Sequence, residues 1–225
     1  AARISGASAA LVAATPMAGT TGPRCIIIGS DSDDGDVGCV ASASPPPPPA
    51  APPAAAAPLP PVQFYRERDA YGCFSNFSRH PVAMPDPEWL RPAGSSSATS
   101  TTTWPTSEHY FQAMKFAPHR EHALAVLRAS SPSEAAKMGR DRGRPLRRDW
   151  EAVKDDTMRA VVRAKFTQHP PIRATLESTR GRQIVEHTRN DAYWGDGGDG
   201  RGRNMLGRIL VEVRDVLLSK IPDDA

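Results

Sequence analysis

The spacing of apolar residues changes several times along the chain, and each change marks an element. Val62-Gln63-Phe64-Tyr65 reads as a short strand, and Cys73-Phe74-Ser75-Asn76-Phe77 as a second short element after a turn at Gly72. Residues 85–103, from Pro85-Asp86-Pro87 through a Ser/Thr run, have no period and are expected to form a low-complexity loop. Trp104-Pro105-Thr106 then opens a helix, in which Thr106 can cap the first turn and Glu108 suits the positive end of the dipole. Ala123, Leu124, Val126 and Leu127 predict a further helix, and Ser131-Pro132-Ser133-Glu134 is a capping box with proline at the first helical position. Asp149 is expected to cap a long helix from Trp150 to about Gln168, with Val153, Thr157, Val161, Val162 and Phe166 facing inward and Pro170-Pro171 ending it. Ile184-Val185 reads as a strand. A Gly-rich stretch from Gly195 to Gly202 leads into a last helix with Met205, Leu206, Ile209, Leu210, Val213, Val216 and Leu217 on one core-facing stripe.

Such a series predicts one compact, mostly helical α+β domain over residues 62–220, since the helices lie too close together and the strands are too few for a doubly wound sheet. Residues 1–61 follow no period. Ala41 to Pro61 is almost pure Ala, Ser and Pro with a five-proline run at 45–49, the makings of a polyproline spacer, and the whole leader is expected to be disordered. All 14 aromatic residues fall in 61–225, which places the only possible large core there. The chain opens on Ala1 rather than Met, which is compatible with a piece of a longer protein.

Charge narrows the chemistry only a little. The leader holds two basic and four acidic residues, leaving 26 Lys and Arg against 21 Asp and Glu downstream, a surplus of five. That fits an anionic ligand and falls short of a dedicated nucleic-acid binder. Cys25, Cys39 and Cys73 form no zinc-type spacing, so neither a metal nor a cofactor is implied, and free thiols suit a reducing compartment. No apolar run approaches the roughly 20 residues that span a bilayer. The Ala/Ser-rich, acid-free first 20 residues faintly resemble an organelle transit peptide, so cytoplasm and plastid both remain open.

Three segments carry candidate chemistry. In Ser107-Glu108-His109-Tyr110-Phe111-Gln112-Ala113-Met114-Lys115, Glu108, Gln112 and Lys115 share one helix face. On most helices such a pair is a solvated salt bridge, but this helix is apolar around much of its girth, so its polar face can line a pocket. A carboxylate there has the setting for a raised pKa, and a desolvated lysine for attack on a sugar aldehyde to form a Schiff base. From Asn190 to Asn204, Tyr193 and Trp194 precede a glycine loop that enters a helix N-terminus with Arg201 and Arg203. The aromatics can stack a flat heterocycle, the loop can approach an anion, and Asp191, Asp196 or Asp199 can hold a hydroxyl or activate water. The third segment, Met138 to Trp150, has five arginines in nine residues, with Gly139-Arg140 the strongest phosphate candidate and solvated surface the plainer reading of the rest. His109, His169 and His187 lack a metal spacing and read as structural.

Phe64-Tyr65, Phe74-Ser75-Asn76-Phe77, Trp104 through Gln112, Met138-Gly139-Arg140-Asp141, Leu146 through Trp150, Met158-Arg159, Lys165-Phe166 and Glu186-His187-Thr188 through Gly207 together resemble the NADAR (YbiA-like) family, in order and over about 160 residues. The resemblance implies hydrolysis of an N-glycosidic bond. Members of that family split ribosylaminopyrimidine 5′-phosphates of the riboflavin pathway into base and ribose 5-phosphate, or remove ADP-ribose from guanine in nucleic acid. It implies Glu108 and Lys115 as the catalytic helix pair with Asp196 beside them. Trp150, Tyr193 and Trp194 would surround base and sugar, with Gln112 on the same pocket face. Arg140, Gly197 and Asn204 would be phosphate or ribose contacts, and Phe74 and Asn76 would close the pocket. Two departures stand out. The 85–103 segment is longer than the family's usual turn, and the loop reads Gly-Arg-Gly-Arg-Asn where lysines are common, which leaves Lys115 as the well-placed amine.

The expected substrate is therefore a small phosphorylated ribosylamine, with ADP-ribosylated nucleic acid as the rival and a non-catalytic ADP-ribose or nucleotide binder as the reading of another class. Oligomeric state is left open.

Overall fold

The computed structural model describes residues 59–92 and 100–219. The predicted leader up to residue 58 and the middle of the Ser/Thr run lie outside the described residues.

Among the described residues, two small sheets and six α-helices carry the domain. Strand β1 (Val62–Phe64) pairs in parallel with β4 (Ile184–Glu186), setting Val62 against Ile184 and Phe64 against Glu186. Strand β2 (Val82–Pro85) pairs antiparallel with β3 (Thr101–Trp104). The expectation of a loop over residues 85–103 is thus corrected at its ends. The last threonines of the low-complexity run form an edge strand, because β-branched side chains fit a pleated, half-buried surface. Glu88–Leu90 adds a 3-10 turn that buries Leu90. Gly72–Phe74 is likewise a 3-10 turn.

Helix α1 (Ser107–Ala113) lies at the centre, packed on α2 (Arg120–Leu127), α3 (Pro132–Arg140) and α4 (Trp150–Gln168), and continues into a 3-10 turn over Met114–Phe116. Its start follows the predicted chemistry: Thr106 is extended and its side chain accepts from the His109 N–H. Ser131 caps α3 in the same way, with Pro132 in the first turn. Asp149 departs from expectation. It occupies the position before α4, but its carboxylate accepts from Arg147 Nε and Nη2 at 2.7 and 2.8 Å and makes no capping bond. Pro170-Pro171 ends α4 and at once begins α5 (Pro170–Glu177), since a proline ring that breaks an interior is tolerated in a first turn.

The final helix, α6 (Met205–Leu218), covers β4 and packs on α4 and α5. Its stripe is buried at Leu206, Ile209, Leu210, Val213 and Leu217, whereas Val216 is 42% exposed and does not belong to it. Trp104, Phe74, Phe116, Phe166 and Met158 fill the space between these layers.

Lys165 of α4 is 1% exposed among them and donates to the Ser75 carbonyl at 2.9 Å and to Ser78 Oγ at 2.6 Å. Those bonds fix the 75–78 segment over the middle of the domain.

Candidate active site

A helix buried on every side has to satisfy its own polar groups. On α1, His109 does so within the core: its Nδ1 lies 2.8 Å from Thr106 Oγ1 and its Nε2 3.2 Å from the Ala129 carbonyl. Glu108 and Gln112 are satisfied only in part. Gln112 Nε2 donates to Glu108 Oε1 at 2.7 Å, while Gln112 Oε1 is buried without a partner. The Glu108 N–H donates to the Asn76 carbonyl at 3.1 Å, which ties the 75–78 segment to the head of the helix.

These groups face a cavity of 240 Å³. Helix α1 and its continuation supply Glu108, Phe111, Gln112 and Lys115; the 75–77 segment supplies Ser75, Asn76 and Phe77. Arg140 comes from the end of α3, Met158 from α4, Glu186 from the end of β4, and Asp191 and Trp194 from the loop beyond. Trp194 packs edge-on against Phe111 with ring centroids 5.3 Å apart. The cavity adjoins an outer cleft of 810 Å³ that also touches Ser75, Phe77, Arg140, Glu186 and Asp191 and is lined further by Tyr65, Arg66 and Arg68.

Burial pushes the Glu108 carboxyl up, against the opposing pull of the Gln112 hydrogen bond and the Lys115 and Arg140 charges. Burial pushes the Lys115 amine down; the charge of Glu108 opposes that shift, while Arg140 and Arg142 add to it. Lys115 Nζ lies 3.4 Å from the Gly139 carbonyl and 5.5 and 5.6 Å from the Phe111 and Trp150 ring centroids. Glu186 is raised to about 7, by burial first and then by the charges of Asp191, Glu108 and Asp196. The cavity thus holds an amine whose charge burial disfavours and two carboxyls that burial pushes up, Glu108 with a hydrogen bond and two cations opposing that push and Glu186 with none, the ingredients of covalent and acid–base chemistry at one carbon. Among the described residues, no group of three or more His, Cys, Asp or Glu is placed to hold a metal ion.

Of the residues singled out from the sequence, Glu108, Lys115, Gln112, Asn76, Arg140 and Trp194 meet in this cavity. Phe74 does not line it; 1% exposed, it packs against Phe64 and Phe166. Trp150 stands behind, 5.0 Å from Phe111 between ring centroids. Tyr193 turns outward, donating to Asp155 Oδ1 at 2.8 Å beneath Lys154 and Arg203.

Asp196, placed above in the catalytic set, also lies outside the cavity. Its carboxylate is bonded to His187 Nδ1 at 2.7 Å and accepts from the Thr188 and Gly198 N–H groups. Burial alone would raise it, but those bonds outweigh the burial and hold it below the usual range. Asn204 is equally engaged, with Oδ1 accepting from the Glu186 N–H and Nδ2 donating to the Ile184 carbonyl. Gly197 serves the turn, at φ +73°. Asp196 and Asn204 line a separate cleft of 640 Å³ that shares no residue with the cavity.

In the arginine run, Arg144 pairs with Asp141 and Arg147 with Asp149, and Arg140 alone reaches the cavity. Glu186 was missed as a functional candidate, and a signal for it existed. It lies two residues beyond Ile184 on a strand and so shares its face, a carboxyl at an inward position. Asp191, one of three carboxylates left open above, is the one at the cavity. Its Oδ1 accepts from the Tyr193 and Trp194 N–H groups, which sets Trp194 in place.

Residues 63–218 match the model of the NADAR domain. The chain belongs to the NADAR domain family. This NADAR domain is 48% identical over 156 residues to N-glycosidase YbiA of Escherichia coli, an alignment covering 69% of this chain and 88% of that protein. It is 40% identical to an N-glycosidase of Nostoc punctiforme, over 68% of this chain and 90% of that one. It is 39% identical to the chloroplastic riboflavin biosynthesis protein PYRR of Zea mays, over 73% of this chain and 26% of that longer protein. The NMR structure of E. coli YbiA superposes with a TM-score of 0.60 at 46% identity, covering 73% of this chain and 88% of YbiA. At this level of similarity, the NADAR domain described here is an N-glycosidase.

Proposed function

We propose that this N-glycosidase hydrolyses the bond between C1 of a phosphorylated ribose and the exocyclic amine of a pyrimidine, releasing ribose 5-phosphate. The observation that carries the reading is the convergence of Glu108, Lys115, Arg140 and Trp194 on one small cavity. The names of riboflavin biosynthesis relatives from Zea mays and Vibrio vulnificus, at 39% and 38% identity, favour a pathway intermediate as substrate. Cytoplasm or plastid would suit such chemistry.

Each residue has a role that its surroundings support. Trp194 and Phe111 offer aromatic faces to the heterocycle, and Arg140 offers a guanidinium fork to the phosphate. Asn76 and Gln112 present carbonyl oxygens that have no protein partner and can accept from sugar hydroxyls. Lys115, biased toward the free amine, attacks C1 while the C1–N pair leaves with the pyrimidine amine. Glu108 takes the proton that Lys115 sheds. Water then displaces Lys115 from C1, and the sugar departs.

Incubating the purified chain with a ribosylaminopyrimidine 5′-phosphate and measuring ribose 5-phosphate tests this directly. K115A is expected to lose at least about 10³-fold in kcat and E108Q about 10²–10³-fold. Intact-protein mass after a rapid quench during turnover should show the sugar on the wild type and not on K115A. Normal turnover by either variant would remove that residue from the mechanism.

The outer cleft, with Arg66 and Arg68 on its wall, supports a second reading: there is room and positive charge for a larger anion such as ADP-ribose on guanine. Release of ADP-ribose from guanine-modified DNA, without ribose 5-phosphate release from the pyrimidine, would favour it.

A further inference from the structure

Departure of an exocyclic amine from C1 needs a proton as well as a nucleophile, and neither Lys115 nor Glu108 as described above supplies it. Three carboxyl groups line the cavity, Glu108, Asp191 and Glu186. Like charges so confined cannot all ionise, so the proton settles on the group with the least support for its charge.

Hydrogen bonding identifies that group. Burial pushes the Glu108 carboxyl up, but it accepts from Gln112 Nε2, and the Lys115 and Arg140 charges favour its ionised form. Asp191 accepts from two backbone N–H groups, of Tyr193 and Trp194. The Glu186 carboxyl receives no hydrogen bond and no ion pair among the described residues. Its backbone, in contrast, is fixed on both sides: the N–H donates to Asn204 Oδ1 at 3.0 Å and the carbonyl accepts from the Asp196 N–H at 3.0 Å. A rigid strand end therefore holds a free carboxyl at the boundary of the inner cavity and the outer cleft, since both touch it.

We propose that Glu186 is the general acid of the reaction, protonating the exocyclic nitrogen as its bond to C1 breaks. The electron pair of that bond goes to nitrogen with the Glu186 proton, Lys115 Nζ bonds to C1, and Glu108 receives the Lys115 proton. In the second half water adds its oxygen to C1 and returns a proton to Glu186, while Glu108 returns its own to the departing Lys115 nitrogen. Every group ends as it began, and one water is consumed.

Facing Glu186 are Glu108 and Lys115 from the central helix and its continuation, Arg140 from α3, and Asp191 and Asp196 from the following loop. Arg66, Glu67 and Arg68 stand on the outer-cleft side beyond β1. The acids keep the proton on Glu186 near neutral pH, where its pKa of about 7 sets the alkaline limit of the reaction. Toward acid the rate falls as Lys115 is protonated, a protonation that its burial disfavours.

The inference rests on the N-glycosidase reading, and the test separates the two. Wild type, E186Q and E186D 225-residue chains are compared for kcat and KM by ribose 5-phosphate release between about pH 5 and pH 9, with thermal melting of each. E186Q is expected to lose about 10²–10³-fold in kcat near pH 6.5, with little change in KM and no fall in melting temperature, and its profile should lack the alkaline limb near pH 7. E186D should keep a limb at reduced rate. An E186Q enzyme with near-normal kcat and its alkaline limb intact overturns the proposal, as does loss of activity accompanied by a lowered melting temperature in both variants. If wild type releases ADP-ribose from modified guanine instead, the same series is read on that substrate. A wild type inactive on both substrates overturns the substrate reading and this one together.

Discussion

The features that equip Glu186 for proton transfer also make it a liability for stability. In the unfolded chain its carboxyl ionises near the ordinary glutamate value, whereas in the fold it ionises at about 7. Between those values the folded state binds more protons than the unfolded state, so this group lowers stability as pH rises from about 4.5 to 7. Glutamine cannot ionise, so E186Q should match wild type near pH 5 and exceed it at pH 8. The difference is on the order of 2 kcal/mol, at 1.36 kcal/mol per unit of pKa with allowance for the cavity's access to water. Urea denaturation at the two pH values checks this, and a variant less stable than wild type at pH 8 would show that the carboxyl supports the fold. Strand alternation marks Glu186 as inward, but the charges around it are not legible locally, since Glu108 lies 78 positions earlier in the chain. Asp196 teaches the reverse. An acid beside glycines looked catalytic, yet its oxygens are engaged by His187, Thr188 and Gly198, an arrangement that local composition does not encode.

At the scale of elements, the contact between α3 and α1 decides the site's shape. A Cβ on Gly139 would lie 1.8 Å from Gln112 Oε1 and 2.6 Å from its Cδ, and the same residue's carbonyl receives Lys115 Nζ. Gly139→Ala must therefore displace Gln112, and through it the Glu108 carboxylate that Gln112 holds. The expected cost is about 1–3 kcal/mol of stability from overpacking, with a fall in kcat larger than that of a surface alanine on the same helix; melting and turnover together check it. The 75–78 segment depends in the same way on α4. Lys165 is lowered to about 7 by burial, which the nearby Cys73 and Glu67 only partly oppose, so its stabilising bonds are best expressed when it is neutral. The unfolded chain holds the lysine proton across the window from about 7 to 10.5, so wild-type stability rises with pH there. K165M should cost about 2 kcal/mol at alkaline pH through the bonds lost to Ser75 and Ser78, and the gap should narrow as pH falls toward 7. Helix starts were legible where a side chain contacts its own backbone, as at Thr106 and Ser131. They were misread where it has a stronger neighbour, as Asp149 has in Arg147, and the strand in the threonine run was hidden because its partner is β2.

Across the whole molecule, Arg66 and Arg68 stand with Glu67 on the outer cleft, Arg140, Glu186 and Asp191 touch both spaces, and Glu108 and Lys115 lie on the inner cavity alone. A modest net charge of +3 conceals this arrangement, which arises only when residues 65–68, the end of α3 and the 186–194 segment are folded together. A phosphorylated ribose has one orientation that suits it, with its phosphate toward the arginines and C1 toward the acids and Lys115. Arg140 then acts chiefly in binding. Its removal should raise KM about 10-fold or more, the scale of a charge-assisted hydrogen bond of about 1.5–3 kcal/mol, and should leave kcat within a few-fold. Arg140 also helps hold Lys115 below the ordinary lysine range, so R140A should move the acid limb of the pH–rate profile upward, a shift that a purely steric contact would not produce. Added salt should raise the wild-type KM toward that of R140A, because screening weakens a partly exposed charge pair. If R140A instead lowered kcat at unchanged KM, the arginine would have to act on the transition state, and the phosphate would have to lie elsewhere on the cleft.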